Sequence, residues 1–134
     1  MNVKFDRETT KELNDVISLY KKFDKYKDDT REELYYHLLP SFKFGQYKTF
    51  KENNNVVAFT NWAYFDTLAE KHYKKTGEVE DHFWKSGNVV WVIDVVSKIN
   101  GAKVIHWLRN KFKKGKWMRL DKNNKPYRIG QRNL

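Results

Sequence analysis

A carboxylate set inside an apolar run constrains this chain more than any other feature. In Trp84-Lys85-Ser86-Gly87-Asn88-Val89-Val90-Trp91-Val92-Ile93-Asp94-Val95-Val96, a polar turn feeds a stretch of β-branched and aromatic residues. That composition reads as a buried central strand. Asp94 interrupts it. Burying a lone carboxylate is costly, so Asp94 has to be paired, hydrogen-bonded or protonated. The other reading places it at a strand end, capping a loop.

The flanking residues supply helices and further strands. Leu13, Val16, Ile17 and Tyr20 recur at helical spacing, so residues 8–23 read as a helix capped by Thr9 or Thr10. Asp24 to Asp29 is a polar connection. Thr30-Arg31-Glu32-Glu33 has capping-box spacing and starts a second helix, with Leu34, Tyr35 and Leu38 on its apolar side. Pro40 should end it near Leu39, because the residue before a proline disfavours the α region. His37, on this helix, reads as a partly packed surface histidine. Gln46 to Phe50 and Val56 to Trp62 read as strands of a hairpin, since Lys51-Glu52-Asn53-Asn54-Asn55 is turn material. Asp66 to Lys74 reads as a helix ending at Thr76-Gly77, and Glu78 to Trp84 holds at most a short one. Beyond the central strand, Gly101 to Lys113 reads as a helix with Val104, Ile105, Leu108 and Phe112 on its apolar side. Trp117 to Leu120 is a last strand, Asp121 to Asn124 a turn, and Tyr127 to Ile129 a segment that pairs back. The order is α-α-β-β-α-β-α-β-(β), a mixed α/β (α+β) sheet flanked by helices, expected as one domain over 1–134.

Charge is distributed unevenly. Residues 103–134 hold 11 of the 27 Lys and Arg but one of the 17 acids, Asp121. The formal net charge of +10 therefore lies in the last quarter of the chain. Such asymmetry points to an acidic partner, whether nucleic acid, an anionic co-substrate or an acidic protein, or else to a solvated basic segment. The chain has no Cys, which excludes a disulfide, a thiolate nucleophile and a Cys-based zinc site. His72 and His82, ten residues apart, do not have metal-ligand spacing. No run of about 18 apolar residues is present. The start, Met1-Asn2-Val3-Lys4-Phe5-Asp6, lacks the apolar region of a signal peptide. A cytoplasmic setting is expected.

Several motifs together resemble one family. Trp84-Lys85-Ser86-Gly87, three residues, then Trp91-Val92-Ile93-Asp94 is similar to the core signature of the RTX toxin-activating lysine acyltransferases, in which a Trp-x-Ser-Gly turn leads into a Trp-Phe-Ile-Asp strand. Leu39-Pro40, Gln46-Tyr47 and Val57-Ala58-Phe59-x-x-Trp62-Ala63 follow the family's pattern in the same order. So do Asn100-Gly101-Ala102 and Arg109-x-Lys111-Phe112. The likeness runs from Leu39 to Asp121, with a weaker echo at Val16 to Tyr20.

The resemblance implies a GNAT-like fold, usually dimeric, and transfer of a fatty acyl group from acyl carrier protein to a protein lysine. Lysine is protonated near neutral pH and only the free amine attacks a thioester, so a base is needed. The family uses a His and an Asp. The Asp maps to Asp94. The His position, counted back from Pro40, falls on Tyr26, and a phenol that ionises near pH 10 is a poor base. His37 is only three residues before Pro40 and is not that position. No catalytic His carries over, and among the remaining histidines His82 is the best placed to serve with Asp94. Gly101 and Ala102 leave the first amides of their helix unobstructed, so Lys98, Asn100, Gly101, Ala102 and Lys103 are the expected site for the phosphate of acyl-ACP or acyl-CoA. No tightly bound cofactor and no metal are expected. Arg109, Lys111, Lys113, Lys114, Lys116 and Arg119 form the expected surface for acyl carrier protein, another acidic protein or nucleic acid, with a homodimer as a further partner. Trp107, Trp117 and Tyr127, interleaved with Lys and Arg, suit nucleic acid. The alternative reading is a catalytically silent basic module: an inhibitor or adaptor of a host protein, of the kind a phage encodes, or a nucleic-acid binder.

Overall fold

The computed structural model of the protein describes residues 4–120 and 126–133. Four α-helices surround one sheet: α1 (Arg7–Tyr20), α2 (Arg31–Lys43), α3 (Thr67–Thr76) and α4 (Gly101–Lys111). The strands are β1 (Tyr47–Glu52), β2 (Asn55–Phe65), β3 (Val89–Ser97), β4 (Lys114–Leu120) and β5 (Pro126–Asn133), and a 3-10 turn spans Asp81–Phe83. Their spatial order follows the sequence, β1-β2-β3-β4-β5. All neighbours are antiparallel except β3 and β4, which are parallel and joined through α4. The expected element order and the mixed GNAT-like sheet are both present. The turn expected at Asp121 to Asn124 lies outside the described residues.

Local chemistry explains most boundaries. Asp6, rather than Thr9 or Thr10, caps α1: its carboxylate accepts the Thr9 amide at 2.6 Å. Thr30 and Glu33 exchange both bonds of a capping box. Asn53 and Asn54, with φ of 53° and 66°, form the two-residue turn between β1 and β2, the conformation that a type I′ hairpin requires. Asp66 caps α3, and Gly77 ends it at φ 72° in the left-handed region.

Two expectations are corrected here. Pro40 does not end α2, which continues to Lys43. Leu34, Leu38 and Phe42 stack every four residues into one cluster with Val16, Ile17, Tyr20 and Phe59. Tertiary burial of that stripe outweighs the local cost of a proline in the helix. Ile105, expected on the apolar side of α4, is 39% exposed, and only Val104 and Leu108 are buried.

The sheet has two distinct faces. Ala58, Trp62, Val90 and Val92 lie under α4. Phe59, Ala63, Phe65 and Trp91 face α1, α2 and α3. Alternation should send Asp94 to the α4 face, because Trp91 and Ile93 point the other way. A bulge reverses this. Asn61 pairs with Asp94 but Trp62 pairs with Val92, which leaves Ile93 without an opposite residue. Asp94 and Val96 are thereby turned to the face of α1 and α2, as bulges beside functional sites commonly re-aim a side chain.

The Trp-x-Ser-Gly turn holds the other end of this frame. The Trp84 carbonyl accepts the Tyr64 amide at 2.9 Å and Gln46 Nε2 at 3.0 Å. Ser86 Oγ accepts the Asp66 amide at 3.0 Å and donates to the Phe83 carbonyl at 3.0 Å. A Cβ on Gly87 would lie 2.5 Å from the Phe65 carbonyl oxygen and the Asp66 nitrogen. Glycine is required there by close backbone approach.

Candidate active site

Asp94 is where three elements converge. Its side chain is 10% exposed. Its Oδ2 accepts the Tyr20 hydroxyl from the end of α1 at 2.6 Å and lies 2.7 Å from His37 Nε2 on α2. Its backbone is pinned as well: the Asp94 amide donates to Asn61 Oδ1 at 2.9 Å, and its carbonyl accepts Thr60 Oγ1 at 2.8 Å. Asn61 in turn donates to Ser41 Oγ at 3.2 Å, and Ser41 donates to the Leu38 carbonyl at 2.9 Å. A polar chain thus runs from the bulged strand into the helix that carries His37. The buried carboxylate is paired and hydrogen-bonded, which answers the cost posed by its sequence.

His37 keeps the partly packed surface position expected for it, 39% exposed at the side chain, but its Nε2 is turned inward to Asp94. The ring borders a cavity of about 870 Å³, together with Asp94, Tyr26, Trp84, Ile93 and Gly101. Tyr26 packs beside it, with ring centroids 6.2 Å apart, and Tyr20 lies 4.8 Å from Tyr26. The residue that the family count reaches thus stands next to His37. The turn that carries Tyr26 is closed by Lys21 Nζ, which donates to the Asp29 carbonyl at 2.6 Å and the Lys27 carbonyl at 3.3 Å.

The pair polarises its own titration. Burial works against a charged imidazole, but the attraction of Asp94 and its hydrogen bond outweigh that and hold His37 above its ordinary value of 6.5. Burial likewise works against the Asp94 carboxylate, and His37, the Tyr20 hydroxyl and Lys25 together hold it below 3.8. Burial first, then Asp94, push the Tyr20 phenol well above its ordinary range, so it keeps its proton. Burial and the same carboxylate raise Tyr26 and Tyr73.

His82 does not meet Asp94. The 3-10 turn sends it outward, 69% exposed at the side chain, with its ring on Phe83 and Nδ1 3.7 Å from Glu80. His72 lies 3.6 Å from Glu80, and His106 meets Asn110 on α4.

At the start of α4, Asn100 Oδ1 accepts the Ala102 amide at 2.9 Å. Asn100 is therefore the helix cap and already occupies one amide expected for phosphate. Gly101 borders the cavity, and the exposed Lys98 and Lys103 flank it in sequence. The parallel contact of β3 with β4 is confined, among the described residues, to Trp91 with Lys116 and Val92 with Trp117. The ladder ends at Val92, on the side where Asp94 lies.

The expected basic surface is divided. Lys116 is 22% exposed at the side chain and pairs with Glu70 at 2.8 Å, and the same carboxylate oxygen accepts Trp91 Nε1. Lys111 lies over the Trp62, Trp107 and Phe112 rings at 5.3–5.7 Å. Arg109, Lys113 and Lys114 are exposed, and Arg119 stands opposite Arg128 in the β4–β5 ladder.

A mixed sheet flanked by helices, with one parallel pair joined through α4 and a His–Asp pair at an open cavity, is consistent with a GNAT-like single domain. The chain belongs to the RTX toxin acyltransferase family (HlyC), whose family model matches residues 6–132. No curated protein matches the chain. No described helix is long and apolar enough to cross a membrane, and the described residues contain no group of three or more metal-ligating side chains.

Proposed function

We propose that the protein transfers an acyl group from a thioester donor to a protein lysine, with His37 as the base and Asp94 as its counter-charge. The observation that carries this reading is the 2.7 Å contact between the two at a cavity large enough for a side chain and an acyl thioester. The imidazole takes a proton from the lysine ammonium. The free amine attacks the thioester carbonyl, the C–N bond forms and the C–S bond breaks. Two protons leave the nitrogen in all: one ends on the departing thiolate, and the other passes from the imidazolium to solvent. Raising the imidazole above its ordinary range improves its match to the amine, while Asp94 stabilises the imidazolium that forms.

The donor is acyl carrier protein or an acyl-CoA, its pantetheine entering the cavity beside the end of the β3–β4 ladder. Family membership supports a carrier protein and a protein lysine as substrates in general. On this reading Lys98, Gly101 and Lys103 receive the donor's phosphate, with Asn100 acting as helix cap. Phe23, Leu34, Val79, Ile93 and Met118 give the cavity apolar wall for the acyl chain.

The test is a label-transfer assay with acyl carrier protein carrying a labelled acyl chain and a lysine-containing acceptor. His37→Gln should reduce transfer by about 10²-fold or more, the range of a general base, whereas His82→Gln should leave it unchanged. Equal losses in both variants would remove His37 from the mechanism. Binding of the carrier without transfer to any lysine would favour the non-catalytic module.

A further inference from the structure

The Tyr20 hydroxyl and His37 Nε2 reach the same oxygen, Asp94 Oδ2, at 2.6 and 2.7 Å. An ionised carboxylate only accepts, so both partners must donate. Tyr20 is wholly buried at the end of α1, with its ring 6.0 Å from the imidazole and 5.8 Å from Phe59. Its rotamer is fixed by packing among Val16, Ile17, Leu34 and Leu38. The Asp94 backbone is held by two β2 side chains, and its carboxylate is held by Tyr20 and His37. The proton on Nε2 is therefore imposed by a carboxylate that can only accept and that a buried Tyr20 already donates to. The other ring nitrogen, Nδ1, makes no hydrogen bond among the described residues, and the ring borders the cavity.

We infer that Tyr20 is a positioning residue which, with Asp94, keeps His37 protonated at Nε2 and leaves Nδ1 as the nitrogen that takes the proton. Tyr20 also sets how much of the carboxylate's charge His37 feels. By donating to the shared oxygen it spreads that charge, so its loss leaves the imidazole facing an undivided carboxylate. Its role is to hold Asp94 ionised and aimed, and it does not touch the reacting atoms.

This deepens the proposed acyl transfer and rests on it for its purpose, but its test does not need turnover. The groups that interact with the pair are Lys25, Tyr26 and Asp29 from the α1–α2 connection, Tyr73 from α3, and Tyr20 and Asp94 themselves. The experiment is a pH titration of the full-length, ¹⁵N-histidine-labelled chain by two-bond ¹H–¹⁵N correlation. In the neutral form of His37, Nε2 should carry the proton and Nδ1 should show an unprotonated shift. Tyr20→Phe should move the His37 midpoint upward by about half a unit or more. Fluorotyrosine at position 20, a stronger donor of the same shape, should move it downward and covers the case in which the phenylalanine variant does not fold. A neutral His37 protonated at Nδ1 would overturn the inference. So would a midpoint that both replacements leave in place. Absence of acyl transfer would refute the proposed reaction without touching either readout.

Discussion

Replacing Asp94 by Asn removes the charge at the centre of the site while keeping its shape. An amide oxygen can still accept from Tyr20 and His37, so the change falls on the strength of those bonds. Hydrogen bonds to a charged group contribute about 1.5–3 kcal/mol and neutral ones about 0.5–1.5, so two of them weaken by about 1 kcal/mol each. Relief from burying a carboxylate acts in the opposite direction. The net effect on folding should lie within about 2 kcal/mol, and the variant should fold. The effect on His37 is larger in kind. Burial and Lys25 lower its affinity for a proton, and Asp94 is what reverses them. Without that carboxylate the histidine should fall from above 6.5 to below it, with the more distant Asp29 offsetting little.

A weaker base without its counter-charge should slow transfer by about 10²-fold or more, equivalent to about 2.7 kcal/mol at the transition state. Single-turnover transfer of a labelled acyl group measures the rate, NMR titration of His37 measures the midpoint, and near-UV circular dichroism reports the fold. The reasoning is refuted if the folded variant transfers within about threefold of the parent rate, or if the His37 midpoint does not fall.

The same pair shapes stability against pH. His37, raised above 6.5, contributes stability below that value and loses it as pH rises through its raised midpoint; Asp94, depressed below 3.8, contributes above that value and loses it as pH falls through its lowered midpoint. Denaturation midpoints should therefore plateau between these limits and decline on both sides, more shallowly for His37 because solvent screens its 39% exposed ring, and His37→Gln should flatten the alkaline decline. Gly87→Ala, which forces a methyl against backbone at 2.5 Å, should cost about 2–3 kcal/mol in urea unfolding. Glu70→Leu strands Lys116 and the Trp91 indole N–H and should cost about 3 kcal/mol by the same measurement. Asn54→Gly, at φ 66°, should be neutral or stabilise by up to about 1 kcal/mol.

What the sequence disclosed and what it hid divide along physical lines. Caps, turns and periodicity are local, and the capping box at Thr30, the Asn53-Asn54 turn and the Gly77 stop were legible because each is decided within four residues. Pro40 misled because its local penalty is smaller than the burial of Phe42 two residues on. The site is non-local. Asp94 announced a need for partners, but alternation aims it at the wrong face, and only the bulge at Ile93, a property of pairing with β2, turns it toward α1 and α2. His37 was visible as a position beside the buried stripe of Leu34 and Leu38, yet nothing near it in sequence marks it as the partner of a residue 57 positions away. One signal was available. Tyr20 closes the apolar stripe of α1 with a polar atom, and a buried hydroxyl needs an acceptor as surely as a buried carboxylate needs donors. Two unmet needs of opposite kind on elements that must pack together already imply a contact. The Trp-x-Ser-Gly signature teaches the converse: its Ser and Gly serve the backbone of β2 and the entry to β3, so its recurrence beside Asp94 reflects the frame that holds the carboxylate in register.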